Sequence, residues 1–547
     1  MKSKRLTLSV LFVVAAVANA LACTNLIVGK NASADGSTIV SYSADSYGLF
    51  GELYHYPAGM HKKGTLIDIH EWDTGKYLGQ IEQARQTYNV IGNMNEFQLT
   101  IGETTFGGRP ELVDTTGIID YGSLIYLGLQ RSRTAREAIK VMTELVQEYG
   151  YYSGGESFTI ADPNEIWIME MIGKGPGVRG AVWVAVRVPD DCISAHANQS
   201  RIHQFNMNDK ENCMYSPDVI SFAREKGYFD GVNKDFSFAN AYAPLDFGAR
   251  RYCEARVWSY FNMFTDRGNE FLPYILGETN TPMPLFVKPN RKVSVQDVKN
   301  AMRDHYEGTP LDISKDFGAG PYHTPYRLSP LSFKVGDREY FNERPISTQQ
   351  SGFVFVAQMR SELPDPIGGV LWFGTDDANM TVFTPVYCCT DKVPVCYTRV
   401  DGADYITFSW NSAFWIFNWV ANMVYPRYDL MIDDVRATQT ELETTFNEAQ
   451  EGVEAAAAKL LEKDPAKAKA FLTNYTNMTA QSTFDTWKRL GEFLVVKYND
   501  GVVKRMKNGQ FERNSIGQPA GVIRPGYPKE FLEEYVKQTG DRYKMPE

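Results

Sequence analysis

The first 23 residues constrain this chain more than any other segment of it. Residues 1–22 begin with three basic side chains, continue with an apolar stretch at about residues 6–17, and end on Ala20-Leu21-Ala22. A basic start, an apolar centre and small residues at positions −1 and −3 are typical of a signal peptide that is removed during export. The pattern predicts cleavage after Ala22, so that the exported chain begins with Cys23 and folds from there.

An amino-terminal cysteine carries a thiol and a free α-amine on one residue. A thiol has a pKa of about 8.5 and an α-amine one of about 8, so the amine can take the thiol proton directly or through one water. We therefore interpret Cys23 as the candidate nucleophile and its own amine as the candidate base. Two alternatives remain open: a cysteine that merely follows a cleavage site, and a lipid-anchored surface binding protein whose Cys23 is acylated and inert. The usual lipoprotein signal has Leu at −3, where this chain has Ala20.

The composition excludes some classes of protein. The chain has 547 residues, of which 43% are apolar and 22% charged, as in globular proteins, and its length alone suggests about three domains. No second stretch approaches the roughly 18 uninterrupted apolar residues of a membrane span. The net charge of −10 is spread along the chain without a basic run, which argues against nucleic acid as a partner.

The other six cysteines leave the disulfide pairing open in an oxidising compartment. Cys388 and Cys389 are too close to bond each other, and one of them is a candidate partner for Cys396. A zinc site is the alternative, but this spacing lacks the paired pattern of zinc ribbons, and the chain contains no His-Glu-x-x-His. We therefore expect no metal and no other cofactor.

The apolar pattern predicts strands, then two helices, then more strands. The first helix is expected over about residues 118–130, and the second begins at Thr134, where Thr134 and Glu137 have the spacing of a capping box. Strand pairs on either side of a helix pair predict an α+β layered architecture.

The composition changes again at about Asp429, where Glu, Ala, Gln and Lys become frequent. Helices are predicted over residues 435–463, 465–473 and 484–498. We expect this C-terminal helical region, residues 429–547, to pack on the core formed by residues 23–428 and to carry no chemistry.

Several separate motifs identify the family that residues 23–425 resemble. In chain order they are Cys-Thr-Asn-Leu-Ile-Val-Gly-Lys (23–30), Asn-Glu (95–96), Ile-Gly-Glu-Thr-Thr-Phe-Gly-Gly (101–108), Ala-Asp-Pro-Asn-Glu-Ile-Trp (161–167), His-Ala-Asn-Gln-Ser-Arg-Ile (196–202), Arg-Asp-His-Tyr-Glu-Gly-Thr-Pro (303–310) and Gly-Gly-Val-Leu-Trp (368–372). In content and order they resemble the secreted dipeptidases of the dipeptidase A family. These enzymes are cysteine-type N-terminal-nucleophile hydrolases, distantly related to choloylglycine hydrolase and penicillin V acylase.

The resemblance implies an αββα sandwich, in which two antiparallel sheets lie between helical layers and the nucleophile begins an inner strand. It implies that Cys23 is the nucleophile and that Asp45 holds its α-amine. It also implies that Asn95 contributes to the oxyanion hole and that Asn198 lies near the nucleophile and the scissile carbonyl.

Arginine is the point at which this sequence departs from the family pattern. Many relatives have an arginine three residues before the aspartate, where this chain has Tyr42. A positive charge beside the thiol would favour the thiolate, and Arg201, Arg251 or Arg256 could supply one from elsewhere. Arg251 or Arg256 matches a late active-site arginine of the family, with a surface arginine as the alternative.

Glu170 is a further candidate for substrate binding. It alternates with apolar neighbours along a predicted strand, so its carboxylate would be buried. It is interpreted either as an anchor for a substrate amine or as a carboxylate in a buried ion pair.

Together these residues predict an exported cysteine peptidase, periplasmic or secreted, that cleaves small peptides, above all dipeptides. The sulfur of Cys23 attacks the peptide carbonyl, the α-amine passes the proton to the leaving amine, and water releases the acyl group from the thioester. An acylase of the bile-salt or penicillin type with the same machinery is the first alternative and would need a deeper apolar pocket. The lipid-anchored binding protein is the second.

Overall fold

The computed structural model describes residues 23–547. The predicted signal peptide, residues 1–22, lies outside the described residues. Within the described part of the chain, helices and antiparallel strands form an α+β fold, which confirms the predicted class.

Two large antiparallel sheets form the centre of the fold. Their strands are, in chain order, β1 (Asn25–Val28), β2 (Thr38–Asp45), β3 (His55–Tyr56), β4 (Val90–Ile91), β5 (Met94–Asn95), β6 (Thr100–Gly107), β7 (Gly155–Ala161), β8 (Ile166–Gly173), β9 (Ala181–Arg187), β10 (Ile193–His196), β11 (Cys213–Tyr215), β12 (Ser351–Met359), β13 (Val370–Thr375) and β14 (Thr384–Tyr387). The six-stranded sheet has the order β10-β1-β2-β12-β13-β14. The eight-stranded sheet has the order β11-β9-β8-β7-β6-β5-β4-β3.

Further short strands form separate two-stranded sheets outside the two large ones. Their strands are Gly59–Met60 with Gln86–Thr87, Leu66–His70 with Tyr77–Glu82, Ser332–Val335 with Arg338–Phe341, Val503–Lys504 with Val522–Ile523, and Met506–Lys507 with Gln510–Phe511.

The two large sheets contact each other through β1 and β2 on one side and β6 and β7 on the other. Every residue of β2 and of β12 is buried, because these strands are central in their sheet and covered on both faces. The register pairs β2 with β1 at Ile27 opposite Val40, and with β12 at Val40 opposite Ala357. This arrangement brings the start of β1, and Cys23 before it, between the sheets.

The helices lie on the outer sides of the sheets and at their ends. They are α1 (Tyr121–Arg131), α2 (Ala135–Tyr149), α3 (Val219–Glu225), α4 (Phe238–Tyr242), α5 (Ala255–Phe264), α6 (Gly268–Ile275), α7 (Val295–Ala301), α8 (Asp365–Gly368), α9 (Ala413–Val424), α10 (Tyr428–Leu461), α11 (Pro465–Tyr498) and α12 (Lys529–Thr539). Helices α1 and α2 contact the eight-stranded sheet, whereas α5, α7, α9 and α11 contact strands of the six-stranded sheet. As predicted, Thr134 caps α2 by accepting a hydrogen bond from the backbone of Glu137.

The C-terminal helices differ from the prediction at one place. The helices predicted over 465–473 and 484–498 are one helix, α11. Its central threonines satisfy their hydroxyls within the fold: Thr479 donates to the carbonyl of Tyr475, and Thr476 accepts from the backbone N–H of Tyr387 on β14. Tertiary packing therefore overrides the weak helix propensity of these residues. The division of the chain at residues 428 and 429 remains a prediction.

All seven cysteines have free thiols. The candidate bond to Cys396 is therefore absent from the structure, and the geometry explains why for one partner. The Sγ of Cys388 lies 3.0 Å from the carbonyl oxygen of Asp365, next to Gly369, so this thiol packs against the segment around α8. Among residues 23–547, no helix combines the length and the apolar character that a membrane crossing requires.

A buried ion pair anchors α10 to the six-stranded sheet and allows a test of the packing. Arg360, directly after β12, donates to both carboxylate oxygens of Glu454 at 2.8 and 2.6 Å. We expect Arg360→Ala to lower the free energy of unfolding by about 3–5 kcal/mol, because it leaves the Glu454 carboxylate buried without a positively charged partner. Urea denaturation followed by tryptophan fluorescence measures this change.

Lys529→Ala is the control for this prediction. It removes an exposed i,i+4 pair with Glu533 on α12, and such pairs contribute little to stability. Equal shifts of the urea midpoint in the two variants would contradict the anchoring role of the buried pair.

Candidate active site

Cys23 is a buried thiol directly before β1. Its side chain is 3% exposed, and its Sγ lies 3.7 Å from the Oη of Tyr42. Burial, and then the negative charges of Glu103 and Asp45, raise the pKa of the thiol well above its usual value. Hydrogen bonds from the Asp45 backbone and from Tyr42 oppose this shift only in part. The group is therefore a neutral thiol near pH 7 and needs a base before it can act as a nucleophile.

Tyr42 stands where the family pattern has an arginine, and it connects the thiol to a carboxylate. Its Oη donates a hydrogen bond of 2.6 Å to Oε1 of Glu103. Burial, and then the neighbouring Cys23 and Glu103, raise the pKa of the phenol well above its usual value, so the hydroxyl is a neutral donor. The residue that replaces the arginine thus contributes a hydrogen-bond donor without a positive charge.

Arg256, in the first turn of α5, supplies the positive charge of the site. Its Nη1 donates to the carbonyl oxygen of Cys23 at 2.6 Å and to Oγ1 of Thr24 at 2.8 Å. Its Nη2 donates to the carbonyl oxygen of Ala197 at 3.0 Å and to Oδ1 of Asn198 at 2.9 Å. Burial lowers the pKa of the guanidinium to about 10, so it stays charged near pH 7. Arg256 therefore ties the start of β1 to the loop that follows β10.

Asp45 ends β2 beside the thiol. Its Oδ2 accepts from Arg344 Nη2 at 2.5 Å and from Ser43 Oγ at 3.0 Å, and its Oδ1 accepts from Ser351 Oγ at 2.6 Å. Its backbone is hydrogen-bonded to the Cys23 thiol. The predicted aspartate is thus in contact with the predicted nucleophile, and an arginine that the sequence analysis did not select holds its carboxylate.

Asn198 lies in the same cluster, on the loop after β10. Its backbone has φ of 63°, in the left-handed region that asparagine tolerates better than most residues. Its Nδ2 donates to the carbonyl oxygen of Thr105 at 2.8 Å, and its Oδ1 accepts from Arg256. The structure therefore brings Cys23, Asp45, Asn198 and Arg256 together, as their selection from the sequence implies.

Glu170 is not part of this cluster. Its Oε1 accepts from the backbone N–H of Arg201 at 2.5 Å, its Oε2 accepts from the hydroxyl of Ser200, and the N–H of Ile202 contacts both oxygens at 3.2 Å. It makes no ion pair within residues 23–547. Burial raises its pKa to about 7. Instead of anchoring a substrate amine, Glu170 holds the turn that follows Asn198.

Asn95 is also occupied outside the cluster. Its Nδ2 donates to the carbonyl oxygens of Leu129 and Ser132, each at 2.8 Å, and its Oδ1 accepts from the backbone of Phe97 and Leu99. Both amide hydrogens are used to fasten the turn after β5 to the end of α1. The side chain thus has no hydrogen left to donate to an oxyanion, which differs from the role implied by the resemblance.

Arg251 is the arginine that the structure keeps away from the thiol. It forms an ion pair with Glu343, and its Cζ lies 5.0 Å from the centre of the Phe341 ring. Glu343 precedes Arg344, so Arg251 supports the segment that carries the partner of Asp45. Of the three arginines left open by the sequence, Arg256 is the one at the site, since Arg201 forms an ion pair with Glu254.

Two buried glutamates face each other beside the thiol. Glu103 on β6 and Glu156 on β7 are each 1% exposed, and their carboxyl groups form a hydrogen bond that requires a shared proton. Burial and the charge of Glu103 raise the pKa of Glu156 well above its usual value, so Glu156 holds the proton. Burial also raises the pKa of Glu103, but less than that of Glu156, and Glu103 Oε1 accepts the hydrogen bond from Tyr42.

A cavity of about 610 Å³ adjoins this cluster. Its polar wall contains Thr105, Asn198, Arg256 and Arg344. Apolar and aromatic side chains form much of the remainder, and they are Phe106, Pro244, Ala249, Tyr252, Pro330 and Leu331. This volume and lining are those of a site for a small molecule.

No group of three or more His, Cys, Asp or Glu side chains among residues 23–547 is arranged to hold a metal ion. The buried His196 lies between the hydroxyls of Thr104 and Thr159, at 2.7 and 2.6 Å. Burial lowers its pKa to about 3, so it is a neutral imidazole.

Sequence reasoning missed three residues of the cluster. Glu103 lies within the quoted motif at 101–108, so that motif was the available signal for it. Glu156 and Arg344 lie outside every quoted motif, and only the pairing of strands and the return of the chain at β12 bring them to Cys23.

Comparisons with known proteins show which family this chain is similar to. A model of peptidase family C69 matches residues 22–55 and 50–441. A probable dipeptidase of Salmonella dublin is 30% identical over 387 residues, which cover 67% of this chain and 81% of the relative. A probable dipeptidase of Latilactobacillus sakei is 26% identical over 429 residues, 74% of this chain and 82% of the relative. Dipeptidase A of Lactobacillus helveticus is 24% identical over 416 residues, 72% of this chain and 80% of the relative.

The environment of Cys23 predicts how its thiol titrates while its nitrogen is still part of a peptide bond. Because the pKa of the thiol is raised, we expect its rate of alkylation by iodoacetamide to rise about tenfold per pH unit through pH 9 without a plateau. Mass spectrometry of the Cys23 peptide from the full-length chain measures this rate. A short peptide with one exposed cysteine and both ends blocked, whose thiol has a pKa of about 8.5, is the reference. A plateau below about pH 8 at Cys23 would contradict the neutral thiol.

Proposed function

Because the chain belongs to peptidase family C69, we propose that it is an exported dipeptidase that uses Cys23 as an N-terminal nucleophile. Relatives named as dipeptidases support the substrate class. The single observation that carries the mechanism is the buried neutral thiol of Cys23, in contact with Asp45 and linked to Asn198 through Arg256.

The proposed mechanism begins with removal of residues 1–22, which converts the nitrogen of Cys23 into an α-amine. This amine takes the thiol proton as the sulfur attacks the peptide carbonyl, then gives the proton to the leaving amine, and a thioester forms on Cys23. Water attacks the thioester with the same amine as base and releases the first amino acid. Asp45 orients the amine, and its own carboxylate is held in place by Arg344 and Ser351.

Asn198 is the residue that we propose to stabilise the oxyanion. Its amide lies at the wall of the cavity and is fixed by Arg256 and by the carbonyl of Thr105. A preorganised amide donor at such a position lowers the energy of a tetrahedral intermediate. Asn95, with both amide hydrogens used elsewhere, supports the turn after β5 instead.

The fold that accompanies this mechanism is the αββα sandwich of N-terminal-nucleophile hydrolases. Its support is the contact between the two sheets through β1, β2, β6 and β7, with α1 and α2 against one sheet and α5, α7, α9 and α11 against the other. In this arrangement the nucleophile begins an inner strand and is reached from the edge of the two sheets.

Replacement of Cys23 tests the nucleophile. We expect correctly processed Cys23→Ala to lose at least about 1,000-fold in kcat/KM for a dipeptide, because the sulfur that forms the thioester is removed. Cys213→Ala, which alters a thiol on β11 at the far edge of the eight-stranded sheet, should keep the wild-type rate. Retained hydrolysis by the Cys23→Ala protein would move the chemistry to another residue.

The mature amino terminus tests the base. We expect intact-mass analysis of the exported protein to give a chain that begins with an unmodified Cys23 and gains one adduct with a thiol-reactive dipeptide analogue. A lipid on the terminal amine would support the anchored binding protein and would contradict the mechanism. Hydrolysis of bile-salt or penicillin-type acyl conjugates in preference to dipeptides would favour the acylase.

A further inference from the structure

We propose that Glu103, backed by Glu156, is the subsite that binds the α-ammonium group of the substrate and restricts hydrolysis to peptides with a free amino terminus. This inference rests on the proposed function, because it concerns the substrate that Cys23 attacks. It assigns to Glu103 the role that the sequence analysis considered for Glu170.

The first observation is the position of Glu103 relative to the sulfur. Tyr42 Oη lies 3.7 Å from Cys23 Sγ and 2.6 Å from Glu103 Oε1, so a single hydroxyl connects the sulfur to the Glu103 carboxylate. The carboxylate is therefore an immediate neighbour of the attacking atom. Glu170, in contrast, binds Ser200 and the backbone of Arg201 and Ile202.

The second observation is that the glutamate pair has no cation. Oε2 of Glu103 and Oε2 of Glu156 have no donor among residues 23–547, apart from the proton that the two groups share, and neither side chain forms an ion pair there. With one shared proton the pair carries one negative charge. Burial of such a charge without a counter-ion is costly.

Four other buried carboxylates of this protein show the contrast. They are paired with arginine side chains, and the pairs are Asp45 with Arg344, Glu254 with Arg201, Glu443 with Arg303 and Glu454 with Arg360. Glu103 lies next to the nucleophile and, unlike these four carboxylates, has no arginine partner among residues 23–547. A cation brought by the substrate would supply the missing partner.

The covalent geometry of a peptide places that cation at the right distance. In a peptide with a free amino terminus, the ammonium nitrogen is two bonds from the carbonyl carbon that the sulfur attacks, a separation of about 2.5 Å. The sulfur approaches this carbon to about 3–3.5 Å. The ammonium group of a bound dipeptide must therefore lie close to Cys23 Sγ, where the Glu103 carboxylate lies.

The charge of the ammonium group would distinguish peptides with a free amino terminus from N-acylated peptides. An ammonium group near a desolvated carboxylate forms strong charge-assisted hydrogen bonds. An N-acylated peptide presents a neutral amide at the same point and leaves the buried carboxylate unneutralised. Loss of one partner from such a buried pair costs about 2–5 kcal/mol, which corresponds to at least about 30-fold in kcat/KM.

The test compares one dipeptide with its N-acetylated form, measured with the processed full chain. We expect the wild type to prefer the free dipeptide by at least about 30-fold in kcat/KM. Glu103→Gln should lose this preference through a fall in kcat/KM for the free dipeptide, with the value for the acetylated form unchanged within about threefold. Because Glu156 can ionise once Glu103 is neutral, the double variant Glu103→Gln/Glu156→Gln should remove the remaining preference.

Two matched variants separate charge from structure. In Glu156→Gln, the new amide donates a hydrogen bond to Glu103 in place of the shared proton, and Glu103 keeps its charge. The preference for the free dipeptide over its N-acetylated form should therefore persist. Glu170→Gln, a buried glutamate on β8, should affect the two substrates equally. If Glu103→Gln does not fold, as judged by circular dichroism, the wild-type preference and its persistence in Glu156→Gln decide the question.

The outcomes distinguish this inference from the proposed function. Wild-type hydrolysis of both substrates with equal kcat/KM, or an equal loss for both in Glu103→Gln, would overturn the subsite and leave the dipeptidase in place. The equal loss would show that the partner of Glu103 is the α-amine of Cys23. Hydrolysis of neither substrate by the wild type would overturn the proposed function, and the subsite with it.

Discussion

The geometry of the site depends on one buried guanidinium. Arg256 uses its two terminal nitrogens to bind the carbonyl of Cys23 and the hydroxyl of Thr24 on one side, and the loop with Ala197 and Asn198 on the other. These segments are more than 170 residues apart in the chain and belong to neighbouring strands of the six-stranded sheet. A fork of fixed donors holds them at constant separation, which a flexible ammonium group could not do.

Charge is distributed unevenly around this centre. Asp45 is neutralised by Arg344 and lies beside the thiol, whereas Glu103 and Glu156 share a proton and keep one charge between them. Tyr42, in place of an arginine, adds a hydrogen bond without adding positive charge. An arginine at this position would bring a positive charge beside Glu103, whereas Tyr42 brings none.

Short sequence patterns predicted the features that depend on residues close to each other in the chain. Thr134 and Glu137 predicted the start of α2, and the alternation of apolar residues predicted the α+β class. The sequence predicted two helices over residues 465–473 and 484–498, whereas hydrogen bonds to β14 support the middle of a single helix, α11. At the site, short motifs selected Cys23, Asp45 and Asn198, but the pairing of Asp45 with Arg344 spans 299 residues. No spacing rule reports such a contact, and Asn95 shows that a matching motif does not determine what a side chain binds.

The contacts of Arg256 with Cys23 use only the main chain of that residue. The guanidinium donates hydrogen bonds to the carbonyl of Cys23 and to the hydroxyl of Thr24, while the sulfur contacts the hydroxyl of Tyr42. Anchoring and reactivity are thereby separated on a single residue. Exchange of the reactive sulfur for an oxygen during evolution would therefore leave the contacts of Arg256 with this residue unchanged. A different nucleophile can arise at this position without changes to the surrounding core.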